Sequence, residues 1–384
     1  MKTSFVIGSI LLMISMTTQA QQQNPTPRKR ARDYGLTFGI LHTGKHNAIT
    51  DVPGVKVGQV TLQEGISVRT GVTAILPHSE TIFQQKVPAA MFIGNGFGKM
   101  TGYAQVEELG NIETPIVLTN TLSVPTAVDA LIDYTLQLPE NQQVRSVNAI
   151  VGETNDGSLN DIRRRYVTKA HVLQAIAQAD TGIVLEGNVG AGTGTLCLGY
   201  KGGIGTSSRV LPKSQGGYTV GVLVQSNFGG TLQIAGVPVG LELGNHKFKM
   251  LQDAYKEDGS CMMIVMTDAP LEARNLKRLA ARAMLGLART GGIAANGSGD
   301  FVIAVSTAKE LRIPYNSKSM FDTYKVLRND NLDLLFEAVI EATEEAIINS
   351  LFAAKTITGH QNQQVEALPI EQTLSILKKY NRLK

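Results

Sequence analysis

Ser260 stands behind Gly259 and directly before the apolar run Cys261–Met266, an order of residue types that can support chemistry. A hydroxyl at the lip of a buried strand, preceded by a residue without a Cβ, suits a self-cleaving peptide bond. Cutting between Gly259 and Ser260 would make Ser260 both a nucleophile and a new amino terminus. The freed α-amine has a reference pKa near ~8, so a good fraction is neutral at physiological pH and able to act as the base. An ordinary junction between a loop and a strand accounts for the same residues. Further polar loops lie around Asn120, Glu153, Asn227 and the pair Ser298 and Asp300. They carry the amides, carboxylates and hydroxyls that acyl transfer with an amine base requires. Asn227 follows a strand and can donate an N–H to a developing oxyanion, a contribution of roughly 3–4 kcal/mol in comparable sites.

Other chemistries fit less well. The six histidines are His42, His46, His78, His171, His246 and His360. None sits in a glycine-rich or acidic loop, and there is no GxSxG elbow, so a Ser-His-Asp triad has no footing. There is no HExxH, and Cys197 and Cys261 lack the spacing of a metal site, so no metal is implied. The two cysteines could pair in an oxidising compartment or remain buried free thiols within their strand-like runs. Cys261 is a narrower rival nucleophile, if the cut fell one residue later. Eight glycines between 187 and 205 suggest a phosphate loop, but no glycine-lysine-Ser/Thr ending follows and Thr195 stands where GxGxxG from Gly190 needs its third glycine. Tight backbone packing, or room for a substrate chain, explains these glycines better.

The elements that must position these groups can be read from period and punctuation. Residues 47–61 alternate around Pro53-Gly54 and suggest a hairpin. Val72–Leu76, Ala89–Ile93, Ile116–Leu118, Val147–Val151, Tyr218–Ser226, Cys261–Met266 and Phe301–Ser306 read as strands, with Val106–Leu109 a further short element. Gly94–Gly98 reads as a loop whose backbone must approach something closely. Val124–Leu136 and His171–Ala179 have helical spacing, with Pro125 tolerated in a first turn. Leu271–Thr290 is an amphipathic helix closed by Gly291-Gly292, and Asn331–Ala354 a second long helix capped by Asn329 or Asp330. Strands followed by helix, strand and helix make a layered α+β fold, without an internal repeat or a clear linker.

Composition bounds the rest. The chain has 384 residues with ordinary apolar and charged fractions, long enough for one large domain or two smaller ones. It lacks Trp and is rich in Gly, so the core must be aliphatic and its backbones closely packed. A net charge of +4 is too small to argue for nucleic acid or an anionic membrane. Lys2, the apolar stretch Phe5–Met16 and Thr18-Gln-Ala20 read as a signal peptide over residues 1–20, shorter than the ~20 apolar residues of a spanning helix. The expected protein is exported, periplasmic or secreted. Residues 21–33, with Pro27-Arg-Lys-Arg-Ala-Arg32, read as a flexible leader, and residues 34–384 as a single domain.

Several blocks, in order, carry a resemblance. They are Ile49-Thr-Asp-Val-Pro-Gly-Val-Lys-Val-Gly58, Val151-Gly-Glu-Thr-Asn-Asp-Gly157, Leu159-Asn-Asp161, Gly190-Ala-Gly-Thr-Gly194, Gly202-Gly-Ile-Gly-Thr206, Asn227-Phe-Gly-Gly230, Asp258-Gly-Ser260 and Thr267-Asp-Ala-Pro270. Over about residues 33–310 the chain resembles the self-processing N-terminal-nucleophile aminopeptidases, which include the L-aminopeptidase/D-Ala-esterase/amidase and the β-peptidyl aminopeptidases. The resemblance implies a four-layer αββα sandwich and a precursor that cuts itself between Gly259 and Ser260 into chains 21–259 and 260–384. It implies homo-oligomers of such two-chain units, no cofactor, and release of N-terminal residues from short peptides, amides or esters. By position, Ser260 is the nucleophile and Asn227 an oxyanion donor. Ser298 lies near the nucleophile, and Glu153 anchors the substrate ammonium. Asp300 stands where some members carry the longer Glu, and Asn155 lies in a loop where some carry a Tyr; Asn155 could donate in its place. An acyltransferase of the ornithine acetyltransferase type, whose junction is generally Ala-Thr, and a catalytically silent binding protein are the competing expectations.

Overall fold

Alternation of side chains across strands decides which residues meet in this molecule. The structure, a computed structural model, describes residues 28–245 and 259–383. Along the chain run β1 (Lys56–Glu64), β2 (Val68–Leu76), β3 (Gln85–Gly96), α1 (Tyr103–Leu109), β4 (Ile116–Asn120) and α2 (Val124–Gln137). They are followed by β5 (Ile150–Thr154), α3 (Lys169–Ala177), β6 (Gly203–Val210), β7 (Thr219–Asn227) and β8 (Ser260–Thr267). The chain closes with α4 (Ala273–Arg289), β9 (Gly299–Ser306), α5 (Asp333–Ala353) and α6 (Ile370–Lys379). One sheet has the order β1-β2-β4-β5; the other runs β3-β9-β8-β7-β6, with two-residue strands Asn111–Ile112 and Ile313–Pro314 also paired to β3. Pairing is antiparallel except for β4 with β5 and β8 with β9.

Three hydrophobic clusters separate four layers. Val72, Ala74, Val117 and Val151 of the first sheet pack against Leu131, Val172 and Ile176 of α2 and α3. Ile75, Ile116 and Leu118 face Met262, Ile264 and Ile303 across the gap between the sheets. Cys261, Met263, Val265 and Val302 face Leu276, Leu279 and Ala346 of α4 and α5. The α+β expectation therefore holds as an αββα sandwich. Strand β8 is buried on both faces, which is why its sequence is a continuous apolar run rather than an alternating one. Glycines let the helices approach: a Cβ on Gly58 would lie 1.9 Å from the Ala175 carbonyl of α3, and one on Gly205 1.9 Å from the Ala346 carbonyl of α5. The glycine-rich stretch is thus at least partly a packing device, with backbone pressed on backbone.

Helix α5 differs from an ordinary outer helix. Residues 338–352 are buried on every side, because the segment around Arg28–Leu41 covers the face that would otherwise meet water. Arg209, fully buried on β6, pairs with Glu341 at 2.8 Å and with Glu345 at 2.7 Å. Arg32 pairs with the same Glu345 at 2.6 Å, and Arg30 with Glu186 at 2.6 Å. Arg28 donates to the carbonyls of Phe352 and Leu368. Removing one partner from such a buried network strands the remaining charge, a loss of about 3–5 kcal/mol.

This corrects the flexible-leader expectation for residues 28–33. Arg30 and Arg32 are matched by acids far away in sequence and Arg28 by backbone carbonyls, and Ala31–Tyr34 forms a short 3-10 turn with Ala31 in the core. Residues 1–27, including the expected signal peptide, lie outside the described residues, as do residues 246–258. The hairpin expected over 47–61 is not formed: Ile49–Asp51 is a 3-10 turn, and β1 pairs with β2 instead. The strand expected at Val147–Val151 is β5, which starts later and runs through Glu153 to Thr154. Val106–Leu109 belongs to helix α1. Neither Asn329 nor Asp330 caps α5. They form their own 3-10 turn, and the helix starts after Leu332 without a side-chain cap.

Candidate active site

The last residue of β7 and the first residues of β8 and β9 meet at one end of the larger sheet's central strands. Register pairs Asn227 with Ser260 and Ser260 with Gly299, so three separate segments converge on Ser260. The side chains of Ser260, Met262 and Ile264 share one face of β8, which places the buried Ser260 hydroxyl at the end of the gap between the sheets. That hydroxyl donates to the Gly259 carbonyl at 2.6 Å, and the Gly299 N–H donates to the same oxygen at 3.0 Å. Gly259 is closely packed: a Cβ there would come within 3.2 Å of Phe228 Cα and 3.3 Å of Ser298 Oγ, tighter than an ordinary van der Waals contact.

Asn227 is held at both ends of its amide. Its Oδ1 accepts from Leu196 N–H at 2.9 Å, and its Nδ2 donates to the Asn155 carbonyl at 3.2 Å. A backbone donor on one end and a backbone acceptor on the other fix the amide orientation, so the N–H₂ group points towards the 155 loop. Asn155 enters through its carbonyl, since its side-chain oxygen closes a turn onto Gly157 N–H. That turn engages only the side-chain oxygen and leaves the Asn155 amide nitrogen out of it, so the expectation that Asn155 donates in place of a Tyr is compatible with this arrangement.

Glu153 lies on the other side of Ser260. Lys99 N–H donates to its carboxylate at 2.8 Å, and the Thr121 hydroxyl makes a short bond to its other oxygen. Burial raises its pKa, opposed by these two donors and by the Lys99 charge. Gly98 lies between Glu153 and Ser260's strand neighbour: a Cβ there would meet Glu153 Oε1 at 3.2 Å and Gly299 Cα at 3.3 Å. The close backbone approach expected of the glycine-rich 94–98 stretch is found here. Asn120, by contrast, is structural: it caps the turn Thr121–Ser123 and donates to Thr70.

Ser298 and Asp300 share the face of β9 and its approach that carries Cys261, opposite the Ser260 side chain. Both Asp300 oxygens and the Ser298 hydroxyl are buried without a hydrogen-bond partner. Burial pushes the Asp300 carboxyl up to about 6, while the nearby Ser298 hydroxyl and Cys261 N–H pull it down. A buried carboxyl thus stands beside the junction. A carboxyl whose pKa is raised in the folded state contributes stability that is complete below its unfolded pKa of ~3.9 and lost as pH rises through about 6. Asp300→Asn is expected to unfold at higher temperature than the parent at pH 8, by the equivalent of at most about 3 kcal/mol, and with no such advantage at pH 4. Thermal melts across that range check it; a difference independent of pH refutes it.

Both cysteines are free and buried. Burial raises the Cys261 thiol well above its usual range, and its side chain points towards the helices, so it is a poor rival to Ser260. Two supporting groups escaped the sequence. Thr121 holds Glu153, and the fully buried Lys201 donates to the Gly192 and Gly202 carbonyls at 2.9 and 2.8 Å. Burial lowers the Lys201 pKa to about 7. Lys201 pairs in register with Leu196, the residue that grips Asn227. A lone lysine beside glycines carries no sequence signal for such a role. Among the described residues no cluster of His, Cys, Asp and Glu could hold a metal ion.

An αββα sandwich with a serine hydroxyl at the start of a central strand and an asparagine amide beside it is the arrangement of the N-terminal-nucleophile class of hydrolases. Residues 47–365 match the sequence model of peptidase family S58, and the chain belongs to that family. It is 42% identical over 377 residues to the β-peptidyl aminopeptidase BapA of Sphingosinicella microcystinivorans, covering 92% of this chain and 93% of that protein. The solved structure of the PH0078 protein from Pyrococcus horikoshii OT3 superposes with a TM-score of 0.86 at 49% identity, covering 92% of this chain and all of that one. The L-aminopeptidase D-Ala-esterase/amidase from Ochrobactrum anthropi, described as a prototype for the serine aminopeptidases and a variant of the Ntn hydrolase fold, has a TM-score of 0.84 at 38% identity, covering 94% and 100%. The membership places this chain among the aminopeptidases rather than the acyltransferases. No helix among the described residues is long and apolar enough to cross a membrane.

Proposed function

We propose that this chain is an exported aminopeptidase that activates itself by cutting between Gly259 and Ser260 and then releases N-terminal residues from short peptides, amides or esters. The observation that carries the proposal is the Ser260 hydroxyl resting 2.6 Å from the Gly259 carbonyl oxygen, itself gripped by Gly299 N–H. In the precursor, Ser260 Oγ adds to the Gly259 carbonyl carbon, and Gly299 N–H supports the oxyanion. The Gly259–Ser260 C–N bond then breaks, its nitrogen takes the proton, and water hydrolyses the resulting ester to leave a free serine terminus.

In the mature enzyme the Ser260 α-amine takes the hydroxyl proton as Oγ attacks the substrate carbonyl. Asn227 donates to the oxyanion, Glu153 binds the substrate's free ammonium, and the protonated amine delivers its proton to the leaving group. Water then hydrolyses the acyl-enzyme. Ser298 and Asp300 lie near enough to the junction to orient the new terminus once it is free to move. The relatives named for β-peptidyl and L-aminopeptidase activity support trying both backbones as substrates. By its resemblance the mature protein is also a homo-oligomer of two-chain units. Sequencing the amino terminus of the smaller fragment, with assays on L-alanyl, D-alanyl and β-alanyl amides, tests the reading. A fragment starting at Ser260 is the expected result; full activity from an uncut chain sinks it.

A further inference from the structure

A cleft of about 820 Å³ begins at Asn227 and runs between the hairpin Leu196–Lys201 and the strand Gln364–Val365. Its volume lies in the upper part of the range of ~300–1,000 Å³ found for small-molecule sites, more than the chemistry at Ser260 alone requires. Leu196, Leu198 and Phe228 supply apolar surface, and Asn155 and Glu366 stand among its polar groups. Strand order gives the cleft a side. Ser260 on β8 has β9 on one flank and β7 on the other. The Glu153 carboxylate reaches Ser260's neighbourhood over Gly98 and Gly299, on the β9 flank. The cleft opens from Asn227, on the β7 flank.

We propose that this cleft receives the part of the substrate beyond the scissile bond, and that Glu366 selects leaving groups without a nearby carboxylate. The inference rests on the aminopeptidase reading above, in which Glu153 binds the substrate ammonium. With the ammonium fixed on one flank and the scissile carbonyl at Ser260, the chain that remains is directed to the other. Glu366 is the one charged side chain among the described residues lining the cleft. Its carboxylate is held in place by the Thr356 hydroxyl at 2.9 Å and by the Gln364 amide, and its backbone carbonyl accepts from Lys201 N–H at 2.7 Å. A carboxylate at the end of a dipeptide is repelled there, whereas an amide or a lysyl side chain is not. The preferred substrates are therefore amides, and peptides whose second residue is neutral or basic and whose terminal carboxylate lies further off.

The test compares alanyl-alanine with alanyl-alanine amide on the purified full-length protein and on Glu366→Gln and Glu366→Lys. The parent should favour the amide in kcat/KM. Glu366→Gln should reduce that preference about fivefold by raising the rate on the free acid, and Glu366→Lys should reduce it further; exposed charges act on this scale. Thermal melting shows whether the variants are folded. An unchanged preference in folded variants overturns the inference. So does a rise in KM shared equally by both substrates, because Glu366 would then be binding the ammonium and the cleft would hold the acyl residue. If the parent cleaves neither substrate nor any alanyl or β-alanyl amide, the aminopeptidase reading itself falls, and this inference with it.

Discussion

Ser260→Ala is expected to accumulate as one uncut chain with no measurable aminopeptidase activity. The parent should instead resolve on a denaturing gel into two fragments, the smaller of about 13 kDa when 41.2 kDa is scaled by length. The reason is local. The hydroxyl is the group that touches the Gly259 carbonyl, and the alternative thiol at Cys261 faces the helices with its pKa raised by burial. Removing a hydroxyl whose partner is an oxygen already held by Gly299 N–H leaves few contacts broken, so the variant should melt close to the parent. That separates lost chemistry from lost folding. Cleavage of Ser260→Ala at the same bond would refute the mechanism.

Asn227→Ala is expected to lower kcat by about 10²–10³ with little change in KM, the usual loss when one oxyanion donor is removed. It also strips Leu196 N–H and the Asn155 carbonyl of their partner, so some stability should go with it, about 1–3 kcal/mol. Asn227→Asp divides these effects. Its oxygen can still accept from Leu196 N–H while the donor is gone, so it should recover part of the stability without recovering the rate. A folded Asn227→Asp protein with near-parental kcat would remove Asn227 from the oxyanion role.

The elements that sequence predicted well are those whose pattern records burial directly. Strand β8 declares itself by six consecutive apolar residues, and α4 by an apolar stripe closed with glycines. The candidate site residues Glu153, Asn227 and Ser260 were legible as a group because each sits at or beside the end of an apolar strand-like run. What stayed hidden depends on partners distant in sequence. Arg28–Asp33 has the composition of a solvated tail, and nothing nearby announces Glu186 or Glu345, more than 150 residues away. The Pro53-Gly54 turn suggests a hairpin, yet Ile49 donates its N–H to the Thr206 hydroxyl of another strand and the segment bends accordingly. Asp300 was recognisable as a candidate, but only the strand register shows it on the face opposite the Ser260 hydroxyl.

Strands β8 and β9 lie between β3 and β7, so the segment after residue 259 supplies the middle of a sheet whose flanks come from the segment before it. A cut at Gly259 would leave every one of these ladders intact while turning one chain into two. Folding before the cut is unimolecular; reassembly afterwards would need two partners to meet, each exposing a half-built sheet. The self-cut would therefore work as a ratchet: the mature protein keeps its fold by the slowness of its unfolding and, once melted, loses the connection through which it first folded.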